Sequence, residues 1–270
     1  MSPELLGPRN PAVRALRDLL RDRSARDAAG RFVLEGPRLL DAALDREVDG
    51  LEVFADPEGE TRCPSVLARA RAAGVPVRGL GPGVAARIGD TVTSQGVLAT
   101  APLRRRGAEL VDALPEAALV VVCVVVSDPG NAGTLLRSAE AMGADAIFLG
   151  AGSVDAYNPK TVRASAGAVF GVPVAEGVNA VEILDTLGAR GVRRVGAVAA
   201  SGEPPERVDL AGPTALVLGH EARGLGEVPL DGLVTVPMAG RAESLNLAMA
   251  GTVLLHEAAR ARRARPAEGP

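Results

Sequence analysis

The chain has 270 residues, a net charge of −3 and 47% hydrophobic residues. This length and composition are typical of one large or two smaller globular domains, and they exclude a disordered chain. The longest purely apolar run, residues 117–126, is too short to cross a bilayer, and the first residues lack the pattern of a secretory signal. We therefore expect a cytoplasmic protein with no membrane partner.

Side chains that commonly bind metals are few and scattered. Cys63 and Cys123 lie far apart, and His220 and His256 are the two histidines. Structural zinc sites and disulfide frameworks need more cysteines at closer spacing. The sequence therefore predicts no metal site and two ordinary thiols.

Arginine is unevenly distributed along the chain. Of the 30 basic residues, Lys160 is the one lysine, and residues 1–38 contain eight arginines. The planar guanidinium group binds phosphate well. With four Phe, one Tyr and no Trp, the chain lacks the aromatic side chains of a base-stacking surface.

Residues 1–102 alternate between helix and strand patterns, as expected for a small α/β domain. Apolar residues recur at helical spacing between residues 11 and 23. Strands are predicted at residues 31–36, 51–55, 75–80 and 95–102, and further helices at 37–45 and 64–74. Three adjacent arginines, at positions 104–106, and Pro115 indicate a linker over residues 103–118.

From residue 119 onward the apolar runs no longer alternate with polar residues. They lie at residues 119–126, 146–149, 195–199, 215–218 and 233–236. Helices are predicted between and after them, at residues 132–142, 158–168, 179–190 and 245–263. Strands that are apolar on both faces are typical of a parallel sheet covered by helices. The last helix is apolar nearly all round at its start, which predicts burial there.

Ligands of open parallel sheets bind beyond the carboxyl ends of the strands. Three such ends carry polar or glycine-rich loops, at residues 127–137, 219–226 and 238–246. Each loop taken alone is equally compatible with a structural turn. Residues 147–155, IFLGAGSVD, also place two glycines after a strand, but Asp155 stands where a dinucleotide fingerprint needs its third glycine. A Rossmann oxidoreductase is therefore disfavoured.

Helix starts in these loops can be predicted from their capping residues. Asn131 and Ser244 are the predicted N-caps of the helices that follow the first and third loops. Arg137 should then reach back towards the first loop, because helical side chains lean towards the N-terminus. Asn246 would lie just inside the last helix, where a buried amide needs a hydrogen-bond partner.

The three loops together resemble the three motifs of the SpoU branch of the SPOUT RNA methyltransferases. Residues 128–145, DPGNAGTLLRSAEAMGAD, are similar to the first motif, residues 216–225 to the second and residues 236–257 to the third. Residues 158–173 are similar to a further stretch of the family. Residues 10–44 resemble the substrate-binding domain that precedes the catalytic domain in many members.

The resemblance implies an α/β fold with a small substrate-binding domain at residues 1–102, a linker, and a methyltransferase domain at residues 119–270. That second domain would contain a parallel sheet with helices on both faces and a deep trefoil knot. The implied reaction is methyl transfer from S-adenosyl-L-methionine to a ribose 2′-hydroxyl of RNA by a homodimer. We expect 23S ribosomal RNA as substrate. The alternatives are transfer RNA, or a catalytically silent RNA-binding assembly factor, and some resistance methyltransferases share this layout.

The family motifs also imply roles for individual residues. The catalytic set would be Asn131, Arg137, Glu221, Ser244 and Asn246. The cofactor would contact Leu218, Gly219, Gly224, Val236, Met238 and Leu245. RNA would contact Arg9, Arg23, Arg26 and Arg38. Arginine is a poor base, so we expect Arg137 to act electrostatically. Many members have Asn or Ser in place of His220, which indicates a changed hydrogen bond or a pH effect at this position.

Overall fold

The computed structural model describes residues 5–89 and 93–264. They form two compact units. The first contains the chain up to Arg104 together with Tyr157–Phe170, and the second contains Arg105–Ala156 and the chain from Gly171 onward. Within the described ranges, none of the helices is both long enough and apolar enough to cross a membrane.

The first unit is built on a mixed sheet of four strands. Its strands are β1 (Arg31–Glu35), β2 (Glu52–Ala55), β3 (Val77–Gly79) and β4 (Val97–Pro102). Its helices are α1 (Pro11–Arg21), α2 (Arg23–Ala29), α3 (Pro37–Asp45), α4 (Pro57–Arg62), α5 (Pro64–Ala72), α6 (Val84–Ile88) and α8 (Pro159–Ser165). The strand order is β1-β4-β2-β3, with β4 antiparallel to both of its neighbours and β2 parallel to β3.

Helix α1 shows how local sequence defines the first unit. The side chain of Asn10 accepts a hydrogen bond from the Ala12 N–H at 2.9 Å, and Pro11 occupies the first turn, where its missing N–H is not needed. Val13, Leu16 and Leu20 lie on the buried face. The predicted single helix over residues 11–23 is divided at Asp22, which has extended backbone and caps α2.

Residues 157–170 join the first unit although they lie far along the chain. The ring of Phe32 packs against Tyr157 at 4.9 Å and Phe170 at 5.8 Å between ring centres. Arg163 of α8 donates to the Glu35 carboxylate at 2.8 Å. An aromatic cluster and a partly buried ion pair therefore hold this segment against β1.

The second unit contains a sheet of six parallel strands. They are β5 (Leu119–Cys123), β6 (Ala146–Gly150), β7 (Val174–Val178), β8 (Arg193–Ala197), β9 (Thr214–Leu218) and β10 (Gly232–Val234), in the order β10-β8-β9-β5-β6-β7. The helices are α7 (Pro129–Met142), α9 (Ala180–Ala189) and α10 (Leu247–Ala264). Strands β5, β6 and β9 are buried throughout, which confirms the predicted parallel sheet. The trefoil knot stays a prediction.

Strand β7 was not predicted, because Glu176 and Gly177 interrupt its apolar pattern. Burial raises the pKa of the Glu176 carboxyl group. The carboxylate bonds to the Arg105 guanidinium and accepts a hydrogen bond from the Ala156 N–H at 2.9 Å. A buried carboxylate with such partners can occupy an edge strand. In the sequence, however, a charged residue at this position looks like part of a loop.

Most of the linker predicted at residues 103–118, namely residues 105–118, belongs to the second unit. Arg106 pairs with Ala175 at the open edge of β7. A short 3-10 helix, Ala108–Ala113, then places Leu110 and Val111 in the core. The side chains of this segment therefore take part in the folding of the second unit.

Helix α10 departs from the prediction on one face. Ala248, Gly251 and Leu255 are buried. Two apolar residues on another face remain between about a third and a half exposed, and we call Met249 and Val253 the apolar stripe. The expected burial of the helix start is therefore wrong for this face. An exposed apolar stripe is typical of a protein contact surface.

Gly150, at the end of β6, should tolerate no side chain. A Cβ atom at this position would lie 2.1 Å from the backbone oxygen of Val124. We expect Gly150→Ala to lower the free energy of unfolding by about 1–3 kcal/mol, because the two backbone segments must separate. Urea denaturation followed by circular dichroism measures this change. The control is Gly212→Ala, where the nearest atom would be 4.0 Å away. Equal stability of the two variants would contradict the prediction.

Candidate active site

The carboxyl ends of three neighbouring strands, β8, β9 and β10, open onto a cavity of about 510 Å³. The start of α10 forms the remaining wall. All six residues predicted to contact a cofactor line it: Leu218, Gly219, Gly224, Val236, Met238 and Leu245. Further walls come from the end of β8 and the two residues that follow it, Ala197, Val198 and Ala199, which the sequence analysis did not identify as site residues. Their one signal was the apolar run that ends at residue 199.

The loop after β9 closes upon itself. The His220 N–H donates to the Gly224 carbonyl at 2.7 Å, and the Gly224 N–H donates back to the His220 carbonyl at 2.8 Å. A Cβ atom at Gly219 would lie 2.3 Å from the Gly224 carbonyl carbon, and Gly224 has a φ of +66°. Both positions therefore require glycine, one for space and the other for backbone conformation.

Three side chains from the three loops form a hydrogen-bond chain, which we call the polar relay. The Asn246 amide nitrogen donates to the Asn131 side-chain oxygen at 3.0 Å, and the Asn131 amide nitrogen donates to the Glu221 carboxylate at 3.1 Å. The Asn246 oxygen accepts the N–H groups of Ala248 and Met249. Because this cap fixes the orientation of the Asn246 amide, it also fixes the direction of each following bond.

The helices α7 and α10 are capped by other residues than predicted. Asp128 caps α7 by accepting from the Asn131 N–H at 2.8 Å, so Pro129 and Gly130 form its first turn. Asn246, two residues after Ser244, caps α10. The predictions for Asn131 and Ser244 were wrong because a neighbouring Asp or Asn supplies an equally suitable oxygen. As a result, the Asn131 amide is available for the polar relay.

Arg137 lies apart from the cavity. It is nine residues beyond the Asp128 cap, about 13 Å along the axis of α7. Its side chain is exposed and makes no hydrogen bond or ion pair with any described residue. The expected reach of Arg137 back to the loop is therefore absent, because the helix begins earlier than predicted. Ser244 lines the cavity, also without a hydrogen bond to the described residues.

The cavity wall carries little charge. Among the described residues that line it, His220 and Glu221 are the titratable ones, and no arginine or lysine contributes. Cys123 is buried at the end of β5, and desolvation raises the pKa of its thiol to about 12. No group of His, Cys, Asp and Glu side chains in the described part of the chain has the arrangement of a metal site.

Helices α7 and α10 are joined by a contact that the sequence analysis missed. The Ser138 and Thr252 hydroxyl oxygens are 2.7 Å apart, and the Thr252 hydroxyl donates to the Ala248 carbonyl at 2.7 Å. The Thr252 proton is thereby committed, so Ser138 is the donor between the two side chains. This bond fixes α10 against the helix that carries Asn131.

The arginines of the first unit fall into two groups. Arg26 is 3% exposed and donates to the Leu19 carbonyl at 2.7 Å, so its predicted contact with RNA is wrong. Arg31 donates to the Gly50 and Thr100 carbonyls. The six other arginines of residues 1–38 lie fully or partly at the surface: Arg9, Arg14, Arg17, Arg21, Arg23 and Arg38. The Arg23 guanidinium is 3.8 Å from the Asp27 carboxylate, and the other five make no ion pair with a described residue.

Comparison with known proteins places both units. The model of the SpoU rRNA Methylase family matches residues 118–256, and that of the MRM3-like substrate binding domain matches residues 10–99. A Bacillus subtilis protein named 23S rRNA (guanosine(2553)-2′-O)-methyltransferase is 32% identical over 240 residues, 88% of this chain and 92% of the relative.

Two solved structures are also similar along most of the chain. One is an AdoMet-bound rRNA methyltransferase from Sinorhizobium meliloti, with a TM-score of 0.76, 32% identity, and coverage of 93% of this chain and 95% of that chain. The other is the SpoU methyltransferase AviRb from Streptomyces viridochromogenes in complex with AdoMet, with a TM-score of 0.80, 30% identity, and coverage of 95% and 99%. The chain therefore belongs to the SpoU rRNA methylase family.

Proposed function

We propose that this protein transfers a methyl group from S-adenosyl-L-methionine to a ribose 2′-hydroxyl of 23S ribosomal RNA. The observation that carries the proposal is the polar relay, which joins Asn131, Glu221 and Asn246 from all three motifs beside a ligand-sized cavity. The names of similar proteins support the reaction and the class of RNA. The cytoplasm is the compartment expected for such an enzyme.

The cavity has the size and chemistry of the proposed methyl donor. A volume of about 510 Å³ lies within the range of small-molecule sites. Apolar side chains such as Leu218 and Val236 suit a nucleoside ring, and the backbone of Gly219 and Gly224 is open to close approach. Glu221 is the acidic group on the described wall, and it suits a donor with positive charge. When bound, S-adenosyl-L-methionine supplies a methyl group activated by sulfonium.

The relay prepares Glu221 for the ribose. One carboxylate oxygen accepts from Asn131, and the other has no donor among the described residues. We assign that second oxygen to the ribose 2′-hydroxyl, whose proton it accepts as the hydroxyl becomes a nucleophile. Ser244, exposed on the cavity wall, can donate a further hydrogen bond to the ribose.

Arg137 acts on a developing negative charge, and we assign it to the cavity of a second protomer in a homodimer. Within its own chain it does not line the cavity. The apolar stripe of α10 lies on the helix that packs against α7, the helix of Arg137, so burial of this stripe between protomers would place Arg137 near an interface. A fixed guanidinium group there would stabilise the alkoxide and orient phosphate.

The central test is transfer of labelled methyl to separated ribosomal and transfer RNA. We expect label on the ribose of ribosomal RNA, and a loss of at least about a hundredfold in turnover for Arg137→Ala. Calorimetry should show unchanged cofactor binding by this variant, since Arg137 is assigned to the alkoxide and phosphate of the RNA and not to the methyl donor. Label in transfer RNA alone would support the alternative substrate. Cofactor binding without label in any fraction would support a silent assembly factor.

Mixed dimers extend the same test. If Arg137 serves the partner's cavity, co-expressed Arg137→Ala and Glu221→Gln chains should regain about a quarter of wild-type activity, because half of the dimers are mixed and each has one complete site. Failure to regain activity in purified mixed dimers would place Arg137 and Glu221 in the same protomer's site.

Removal of the first donor of the polar relay, by Asn246→Asp, should impair turnover without loss of stability. In Asn246→Asp, the carboxylate can still cap α10, where the helix dipole favours negative charge. It cannot donate to Asn131, which would then lose its fixed orientation towards Glu221. We expect turnover to fall about tenfold or more and the melting temperature to stay within a few degrees. A variant with full turnover would show that the relay has no catalytic role.

Unpaired arginines of the first unit are proposed to bind RNA phosphate. Arg14, Arg17 and Arg21 recur at i, i+3 and i+7 along α1 and add to Arg9 and Arg38. Replacement of the three α1 arginines by Gln should reduce the slope of log affinity against log salt by between about 2 and about 3. Filter binding to unmodified 23S rRNA transcripts measures the slope.

The matched control replaces three arginines of the same unit that already have acidic partners. Arg62 pairs with Glu58 at 2.7 Å, Arg69 with Asp41 at 2.6 Å, and Arg71 with Glu60. This triple variant has the same change in net charge and should lower the slope much less. Equal slopes for the two variants would show that net charge, rather than the α1 face, determines RNA binding.

A further inference from the structure

The imidazole of His220 is part of the backbone hydrogen bonding of the loop after β9. Its Nδ1 atom accepts a hydrogen bond from the Ala222 N–H at 3.0 Å. The His220 carbonyl accepts the N–H groups of Arg223 and Gly224. The ring therefore satisfies one N–H of a tight turn in which the N–H groups of His220, Arg223 and Gly224 are bonded to backbone.

This arrangement is the one that short polar side chains commonly make. Asn, Asp and Ser bond the backbone N–H two residues further on and thereby stabilise turns. Here a ring nitrogen takes the position of the side-chain oxygen. A nitrogen accepts only while it carries no proton, so His220 must be neutral with its hydrogen on Nε2.

The loop held in this way forms part of the active site. Its Glu221 side chain ends the polar relay, and Gly219, His220 and Gly224 line the cavity. The two ends of the loop are in close contact, since even a Cβ atom at Gly219 would collide with the backbone of Gly224. A change at the Ala222 N–H should therefore be transmitted to the cavity wall and to Glu221.

We propose that His220 is a positioning residue that holds the cavity loop only in its neutral form, so that binding of the methyl donor weakens as the pH falls. Protonation places a hydrogen on Nδ1, which then faces the Ala222 N–H as a second donor. The stabilisation of the loop is present while the imidazole is neutral and is lost when the ring becomes protonated. The inference rests on the proposed function, since it concerns the same cavity.

Neighbouring charges act on the ring from several elements. Glu221 and Arg223 lie on the same loop as the ring. Cys123, at the end of β5, stays neutral because desolvation raises its pKa to about 12. Further charged groups on the loops around the cavity include Glu203 after β8, Glu227 after β9, Asp128 at the start of α7, and Arg241 and Glu243 before α10.

The experiment compares two substitutions by calorimetric titration with S-adenosyl-L-methionine between pH 5.5 and 8. His220→Leu removes the acceptor and should weaken binding about two- to tenfold at pH 8. His220→Asn offers an oxygen to the same N–H and does not titrate. It should restore most of the affinity that His220→Leu loses, and the acid-dependent loss seen in the wild type should disappear. His256→Asn, on the exposed face of α10, is the control and should keep the wild-type pH dependence.

A second measurement needs no ligand. Long-range proton–nitrogen NMR of the histidine rings should show His220 with its proton on Nε2 at pH 8, identified by the signal that is missing in His220→Asn. This readout stays informative if His220→Leu does not fold.

The outcomes separate the two proposals. A folded wild-type protein that does not bind S-adenosyl-L-methionine at pH 8 would overturn the proposed function. Binding at pH 8 with the same acid-dependent loss in wild type and His220→Asn would overturn the role of His220 alone. A proton on Nδ1 at pH 8 would do the same.

Discussion

Parallel pairing of β9 with β5 on one side and β8 on the other is the constraint on which the site depends. Because parallel strands end at the same edge, this order brings the loop after β5 to the loops after β9 and β10, which lie about a hundred residues further along the chain. Burial of both strand faces fixes the register, since a shift would expose apolar side chains or bury polar ones. The polar relay then has only short distances to span.

Binding of the methyl donor and positioning of the groups that act on the ribose, both proposed for the second unit, depend on different kinds of contact. The cavity is formed mainly by apolar side chains and backbone, so its shape follows from the packing of the loops. The reacting groups are exposed and positioned by hydrogen bonds, with the cap of α10 as the fixed point. A cap is a suitable anchor because unsatisfied helix N–H groups are costly, and the amide that satisfies them has one favoured orientation.

The arginines of this protein have two kinds of role, which differ in burial and in hydrogen-bond partners. Arg26 and Arg105 bond to buried carbonyl or carboxylate groups and stabilise their own units. Arg14 and Arg137 are exposed and have no partner among the described residues, so phosphate could bind them without the loss of an existing bond. Burial and pairing, rather than residue type, therefore distinguish a structural arginine from a candidate RNA contact.

The sequence alone predicts the class of fold, most helices and strands, the three motif loops and the six motif residues that line the cavity, because apolar periodicity and motif residues are local features. It missed the short helices α2, α4 and α6 and the strand β7. Which side chains meet depends on the packing of elements that are distant in the chain. This packing placed Asn246 rather than Ser244 at the cap, buried Arg26, separated Arg137 from the cavity and added residues 157–170 to the first unit. These outcomes depend on partners distant in the chain, and no local pattern specifies such partners.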